Sequence, residues 1–284
     1  MQAQRRIRLA VLMIPPSVWL LILFVAPLLV MALYTFRAGS FGVEKNIFTL
    51  QNYQDFLANT DLQILLARSV WISLLVAAYS VVLAFPVAYW LAFNVGPARV
   101  TLLTILIIPA WTSYLLRVLA WKIILGGNGL LSSGLEMLGL SGHIPVLLYN
   151  QPAVIITLVY SWIPFVALPI FAALERLDRS LLEAAADLGA TPLQAFLRVT
   201  LPLSLPGVIA GFLFAFIPTV GEYVTPSLVG GTQGIMFGNL VWDTFLRGIN
   251  WPLGSVMSLA MLLAVLIPIG IFARFVRLSD LAGL

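Results

Sequence analysis

The sequence contains no cysteine and a single histidine, His143. Disulfide frameworks and thiolate metal sites are therefore excluded, and a catalytic centre that pairs histidine with a nucleophile has little to draw on. Lysine is almost as scarce: the only two, Lys45 and Lys122, follow Glu44 and Trp121, so there is no Gly-Lys pair for a Walker A phosphate loop. We expect a non-catalytic chain that holds no metal or cofactor. If ATP drives this protein, another subunit binds it.

Charge is scarce as well. Only 9% of the 284 residues are charged and 61% are hydrophobic, whereas roughly a quarter of an average soluble domain is charged. Fifteen basic and eleven acidic residues cannot cover the surface of a soluble protein of this length. The basic residues are scattered at the ends of apolar runs, which argues against nucleic-acid binding. We therefore predict an all-α integral membrane protein whose surface contacts lipid.

The apolar runs between the charges predict six membrane-spanning helices in a single transmembrane domain, residues 1–284. The predicted spans are 10–35, 69–94, 100–125, 147–174, 203–224 and 251–274. The first resembles a secretory signal peptide, but its apolar run is too long, so we expect an uncleaved helix. Nine of the fifteen basic residues fall in segments that face the cytoplasm if the N-terminus does. The positive-inside rule thus places both termini in the cytoplasm.

The segment between the fourth and fifth predicted spans indicates two short helices joined by a glycine. Ser180 is placed to cap the first helix, with Glu183 at its third position as in a capping box. Gly189 supplies the left-handed residue that ends this helix. Thr191 as N-cap and Pro192 at the first helical position then start the second helix. We expect this elbow on the cytoplasmic face, where its alanine run offers a smooth surface to a partner.

The elbow also carries a spaced motif. Glu183-Ala184-Ala185 is followed after three residues by Gly189, and after nine more by Val199-x-Leu201-Pro202. This resembles the EAA loop of the permease subunits of ATP-binding-cassette importers, E-A-A-x₃-G-x₉-I-x-L-P, with valine in place of isoleucine. The resemblance implies the type I importer permease fold, with six transmembrane helices and cytoplasmic coupling helices at about 180–198. The residues that it assigns to coupling with an ATPase are Leu182, Glu183, Ala184, Ala185, Leu188, Gly189, Ala190 and Pro192.

Three further segments, 109–121, 221–226 with Gly230-Gly231, and 250–254, resemble permeases of the spermidine/putrescine subfamily. The resemblance implies a subunit of a bacterial inner-membrane importer. It would form half of the pathway for polyamines or similar small cationic or zwitterionic solutes and work by alternating access. Similar permeases serve opines, amino-acid derivatives, phosphonates or iron complexes, which stay open as alternatives.

The resemblance also implies partners. They are two copies of a cytoplasmic ATPase that binds ATP and Mg²⁺, a second permease (the same chain or a similar one) and a periplasmic or extracellular solute-binding protein. An ATP-independent secondary transporter is the main alternative from another class. It predicts more intramembrane carboxylates and an internal repeat, and we find no repeat in this sequence.

Two ionisable residues, Arg117 and Glu222, lie inside predicted spans. At about 1.5 Å per residue they rise about 25 and 28 Å from the inner ends of their helices, so they can share a level. They would then form an ion pair or line the outer end of the pathway, with Glu222 contacting a cationic solute. Alternatively, Arg117 reaches the headgroups and Glu222 meets water. Weaker pathway candidates, which are also typical interfacial residues, are Trp111, Tyr114, Tyr223 and Asp243.

Overall fold

Apolar helices make up most of the structure, a computed structural model that describes residues 2–138 and 147–275. His143 lies outside the described residues. In chain order the α-helices of the described residues are α1 Gln2–Tyr34, α2 Gln51–Ala58, α3 Thr60–Phe93, α4 Arg99–Ile107, α5 Tyr114–Ile124, α6 Leu130–Met137, α7 Gln151–Glu175, α8 Arg179–Asp187, α9 Pro192–Ala195, α10 Leu201–Val220, α11 Phe237–Leu246 and α12 Trp251–Phe275. Extended pairing in these residues is limited to an isolated bridge between Arg37 and Phe48.

The long helices have the length and the apolar composition of membrane-spanning segments. Five runs are long and apolar enough to cross a bilayer, and α4 with α5 makes six if this bent pair is one span. The α3 helix begins at Thr60, well before the expected start at 69, and α10 ends at Val220, before the expected end at 224. The predicted all-α membrane fold is confirmed.

The third predicted span is broken rather than continuous. A 3₁₀ turn, Ile108–Trp111, follows α4, and the two halves meet at an angle of 87°. Pro109 has no backbone N–H to continue the helical ladder, and Thr112 is extended, with φ −72° and ψ 157°. Arg117 therefore does not rise along one straight helix, as a count of 1.5 Å per residue assumes.

The described residues form two compact units. The first comprises the chain up to Gln63 together with Val241–Leu262, and the second comprises Ile64–Leu240 with the chain from Leu263 onward. Within the first unit, the Ser40 hydroxyl donates to the Ile249 carbonyl at 2.6 Å and accepts from the Trp251 amide at 2.9 Å. These bonds hold the segment after α1 against the start of α12.

The α7 helix lies at the centre of the second unit. The Asn150 side chain caps its first turn by accepting a hydrogen bond from the Ala153 amide at 2.9 Å. Buried side chains of α3, α5, α7 and the segment after α10 pack together around it. This core includes Ile72, Val76, Val118, Leu125, Val154, Leu158, Val229 and Met236.

Small residues allow α10 to pack closely on α7. A β-carbon at Gly207 would lie 2.5 Å from both the Ala173 β-carbon and the Pro169 carbonyl oxygen. One at Gly211 would lie 2.9 Å from the Val166 carbonyl oxygen. Glycines four residues apart let helix backbones approach in membranes, where van der Waals packing replaces the hydrophobic effect.

Replacing Gly207 by alanine is expected to lower the melting temperature of the purified protein in detergent. The added methyl group overpacks the contact between α7 and α10, at a cost of about 1 to 3 kcal/mol. Gly270→Ala in α12 is the matched control, since its β-carbon meets nothing within 4 Å. A Gly207→Ala protein that melts no lower than the Gly270→Ala protein contradicts the close packing.

Candidate functional site

The first helix of the elbow begins two residues earlier than the sequence predicts. Asp178, not Ser180, is its N-cap: the Asp178 carboxylate accepts a hydrogen bond from the Ser180 amide at 3.0 Å. That bond lowers the pKa of the Asp178 carboxyl. The predicted capping box between Ser180 and Glu183 is wrong, because a carboxylate at the helix N-terminus satisfies an amide and also meets the positive end of the helix dipole.

The end of this helix follows the prediction. Gly189 has a φ of +81°. Its amide donates to the Ala186 carbonyl at 2.9 Å, and the Ala190 amide donates to the Ala185 carbonyl at 3.0 Å. These two bonds make a Schellman motif, which closes a helix through a left-handed residue. Gly189 therefore sets the direction in which the chain leaves α8.

The second helix begins as predicted at Thr191 and Pro192, but its cap contains a residue that the sequence analysis did not single out. The Gln194 amide donates to the Thr191 hydroxyl at 3.3 Å, and the Thr191 amide donates to the Gln194 side-chain oxygen at 2.9 Å. This reciprocal pair is a capping box. A π-helical turn, Phe196–Thr200, then leads without interruption into α10. The elbow is therefore continuous with a membrane helix.

The elbow presents its residues to the surroundings. Leu188 is 89% exposed, and three more leucines, Leu181, Leu193 and Leu197, also belong to the exposed apolar set. Each predicted coupling residue is exposed or half-buried: Leu182, Glu183, Ala184, Ala185, Leu188, Gly189, Ala190 and Pro192. Exposed leucines beside a charged loop are typical of a protein-binding surface.

Contacts that the sequence analysis missed join the elbow to the end of α3. The Arg179 guanidinium at the start of α8 donates to the Ala92 carbonyl at 3.3 Å. The Phe196 ring packs edge-on against Phe85 at 5.6 Å and Tyr89 at 6.1 Å between ring centroids. Nothing in a single sequence pairs residues about a hundred positions apart. The elbow is thereby anchored to a second membrane helix besides α10.

An ion pair ties two further helices together close to the elbow. Arg99, the first residue of α4, lies 2.8 Å from the carboxylate of Glu175, the last residue of α7. Both side chains are about one-third exposed, so the pair contributes little stability by itself. It fixes the start of α4 beside the segment that leads into α8.

Glu222 lies where α10 gives way to a π-helical turn, Pro226–Gly230. Its Oε1 accepts hydrogen bonds from the amides of Val224 at 2.9 Å and Thr225 at 3.0 Å. The carboxylate thus caps the chain after the break, a structural role that the sequence analysis did not assign. One of its two oxygens is committed to this cap.

Asn239 holds the same break from the other side. Its side-chain amide donates to the Tyr223 carbonyl at 2.8 Å and to the Ser227 hydroxyl at 2.7 Å, and its oxygen accepts from the Met236 amide at 3.0 Å. The sequence analysis did not single out Asn239, because a lone asparagine carries no motif. The backbone around Glu222 is therefore irregular, but side-chain hydrogen bonds from Glu222 and Asn239 hold it in place.

Arg117 and Glu222 are linked through a tyrosine and do not pair directly. Tyr114 lies within electrostatic reach of both charges and shares a 2.6 Å hydrogen bond with the Thr225 hydroxyl. The Arg117 guanidinium lies 5.7 Å from the centroid of the Tyr114 ring. Among the described residues, Arg117 and Glu222 make no ion pair with each other, unlike Arg99 with Glu175 and Arg247 with Asp243. The structure therefore brings three of the predicted pathway residues together without the hypothesised ion pair.

The other pathway candidates have separate settings. Trp111, at the bend of the third span, is 79% exposed. Tyr223 follows Glu222 and accepts the Asn239 bond at its carbonyl. Asp243, in the first unit, lies 3.2 Å from Arg247 one helical turn away. Local pairing thus accounts for the position of Asp243.

The known proteins to which this chain is similar are membrane components of transport systems. The family described as binding-protein-dependent transport system inner membrane component matches residues 5–281. The spermidine/putrescine transport system permease protein PotB of Escherichia coli (strain K12) is 36% identical over 236 residues, which is 83% of this chain and 86% of that protein. PotB of Haemophilus influenzae is 34% identical, with 92% of each chain covered. The inner membrane ABC transporter permease protein YdcU of Escherichia coli is 33% identical over 95% of this chain and 88% of its own length.

Solved structures share the fold at lower identity. A chain of a bacterial ABC transporter that imports the acidic polysaccharide alginate has a TM-score of 0.68 and 17% identity, with 97% of this chain and 98% of that chain covered. A chain of the MetNI methionine ABC transporter has a TM-score of 0.56 and 22% identity, with 77% and 98% covered. Both are type I importer permeases, so the predicted fold class is confirmed.

Proposed function

Because this chain belongs to the family of binding-protein-dependent transport system inner membrane components, we propose that it conducts polyamines or similar small cationic or zwitterionic solutes. As a family member it is a multi-pass permease of the inner membrane. The choice of solute is supported by the similarity to the spermidine/putrescine permeases of two bacteria. The exposed elbow, which runs directly into α10, is the observation that supports coupling to a cytoplasmic ATPase.

The proposed assembly contains two such permeases, of the same or a similar sequence, and two cytoplasmic ATPase subunits. ATP and Mg²⁺ are bound by the ATPase subunits, and this chain needs no metal or cofactor of its own. Both termini and the elbow face the cytoplasm, and a solute-binding protein docks outside. The exposed leucines Leu188 and Leu193 of the elbow support a protein partner on that face.

The proposed mechanism is alternating access driven through the elbow. Closure of the ATPase subunits displaces α8 and α9 together, since the Schellman motif and the capping box make a stiff joint between them. The displacement reaches α10 through the π-helical turn and α3 through Phe196 and Arg179. A packed interface of this kind passes on discrete shifts more readily than gradual deformation.

The solute is proposed to meet Glu222 in the pathway. Its Oε1 caps the break after α10, and the carboxylate also lies within hydrogen-bonding reach of Tyr114. An ammonium group would bind this carboxylate through charge-assisted hydrogen bonds. Backbone that departs from the helix at membrane depth is tolerated beside a cavity or inside protein. Tyr114, Tyr223 and Trp111 are aromatic side chains near this segment or the bend, and they suit a cation by stacking.

Glu222→Gln is expected to reduce binding-protein-dependent uptake of labelled spermidine about tenfold. A charge-assisted hydrogen bond contributes about 1.5 to 3 kcal/mol, and most of this is lost when the acceptor is neutral. Glutamine keeps an oxygen for the Val224 and Thr225 amides, so the fold is retained. The matched control is Asp61→Asn, which neutralises an exposed carboxylate in the first turn of α3. Unchanged uptake by an assembled Glu222→Gln complex rules out direct contact with the solute.

Uptake by host cells whose own polyamine importers have been deleted tests the solute class. Cells that express this chain with its neighbouring transport subunits are given labelled spermidine, putrescine and a panel of amino acids. Uptake of the polyamines that needs both the binding protein and ATP is the expected result. Uptake of amino acids alone contradicts a polyamine as the solute, and transport by the isolated chain in vesicles contradicts the ATP-driven mechanism.

A further inference from the structure

A cavity of about 330 Å³ lies in the bend of the third span, between α4, α5 and α7. Ile105, Leu106 and Pro109 form one wall, and Ile163 and Pro164 of α7 form the other. These walls are apolar. The volume falls at the lower end of the range of about 300 to 1,000 Å³ that is usual for small-molecule sites.

Arg117 is the one charged side chain that lines the described cavity. Its polar contacts are weak: Nη1 donates to the Ser161 carbonyl at 3.5 Å, and the guanidinium lies 5.7 Å from the centre of the Tyr114 ring. Nε is buried and has no hydrogen-bond partner among the described residues. A guanidinium has five N–H donors and stays charged in proteins. Most of its hydrogen-bonding capacity is therefore unused in an apolar setting.

An unpaired cation at membrane depth is costly, so Arg117 calls for an anion. Glu222 does not supply it, because its Oε1 already accepts two amide hydrogen bonds and the carboxylate makes no ion pair with Arg117 in the described residues. A polyamine does not supply it either, since ammonium groups are repelled by a guanidinium. The cavity therefore suits an anionic ligand with an apolar body.

The bend keeps this cation in the outer part of the bilayer, where an arginine draws phosphate groups inward by snorkelling and local thinning of the bilayer. The α4 helix and the turn after it, which end at Trp111, rise by about 20 Å from Arg99. Because α5 leaves at 87° to that direction, an α4 along the membrane normal puts α5 close to parallel with the membrane surface. Arg117 then stays near the level that the end of α4 has reached.

We propose that this cavity binds an anionic phospholipid of the surrounding bilayer. The phosphate lies against the Arg117 guanidinium, whose planar donors match phosphate oxygens in pairs. Part of an acyl chain lies along Ile105, Leu106 and Ile163. The bound lipid fills the space that the break at Pro109 opens and neutralises the charge beside Tyr114. Its occupant differs from the solute proposed at Glu222, although Tyr114 borders both sites.

The test uses the full chain, reconstituted in phosphatidylcholine vesicles that contain a phosphatidylglycerol probe with a photoactivatable acyl chain. Labelled peptides are located by mass spectrometry. We expect labelling of the peptides that contain Ile105 and Ile163, and about tenfold less labelling in Arg117→Gln. Arg247→Gln is the matched control, because it removes an arginine that is 81% exposed and lies in the other unit.

A second variant keeps the charge and fills the cavity. Ile105→Trp is expected to reduce labelling while Arg117 is intact, and since Ile105 is 55% exposed the larger ring is compatible with folding, which thermal melting checks. Equal labelling by a phosphatidylcholine probe, or undiminished labelling in both variants, overturns the proposal. Because the readout needs no transport, failure of the polyamine proposal leaves the labelling result unchanged, and the reverse also holds.

Discussion

Gly189→Val is expected to abolish stable association of this permease with its ATPase and, with it, solute uptake. Gly189 has a φ of +81°, which a β-branched residue adopts only as an outlier. The variant must give up the left-handed turn and both Schellman bonds, so α9 leaves α8 in another direction. A β-carbon at this position meets nothing within 4 Å in this chain. The effect is therefore conformational and is felt at the docking surface.

Co-purification with the ATPase measures this prediction, and two variants serve as controls. Gly96→Val carries the same kind of backbone strain, since Gly96 has a φ of +66° and also has nothing within 4 Å, but it lies outside the elbow. Gly189→Asn is expected to restore much of the association, because asparagine tolerates the left-handed region. Equal loss of the ATPase in Gly96→Val and Gly189→Val would show that the elbow has no special role.

Phe196→Ala is expected to separate docking from transport. The Phe196 ring joins the elbow to Phe85 and Tyr89 of α3, whereas the exposed leucines Leu188 and Leu193 are unchanged in this variant. Removing an aromatic contact leaves a gap that lets the elbow move without α3. The ATPase should still co-purify, but binding-protein-dependent uptake should fall about tenfold, with ATP hydrolysis no longer stimulated by loaded binding protein.

The neighbouring residue provides the matched control. Leu197 is 50% exposed, and Leu197→Ala removes apolar surface from the face that we assign to the ATPase. That variant should lose affinity for the ATPase, whereas each assembled complex should transport normally. If Phe196→Ala weakens ATPase binding as much as Leu197→Ala does, the route from the elbow to α3 is refuted.

The elbow was almost fully predictable because its structure depends on local chemistry. Gly189, Thr191 and Pro192 each act within one helical turn, so their residue types and spacing already contain the geometry. The start of the first helix was misplaced since Asp178 and Ser180 are both good caps, and local preference does not choose between them. The Arg179 and Phe196 contacts with α3 lay beyond reach, because they depend on the packing of distant segments.

The positions of the intramembrane residues, in contrast, could be predicted only in small part from the sequence. Hydropathy marks Arg117 and Glu222 as unusual, but their depth was estimated from a straight helix that the structure replaces with an 87° bend. Pro109 was visible in the sequence, yet a proline in an apolar run is compatible with a kink of many sizes. Where the free donors of Arg117 and the oxygens of Glu222 point is a property of the neighbouring helices.

The amino-acid sequence is sufficient to predict that this chain lies in a membrane, spans it with helices and carries an elbow of two short helices joined by a glycine. Those conclusions rest on composition, on the length of apolar runs and on capping residues, all of which act locally. Three features could be seen only in the folded chain: Glu222 caps a broken helix, Tyr114 lies between the two charges, and Arg117 lines an apolar cavity. These arrangements follow from which helices pack together, and in an apolar chain nearly every helix face is equally able to be buried.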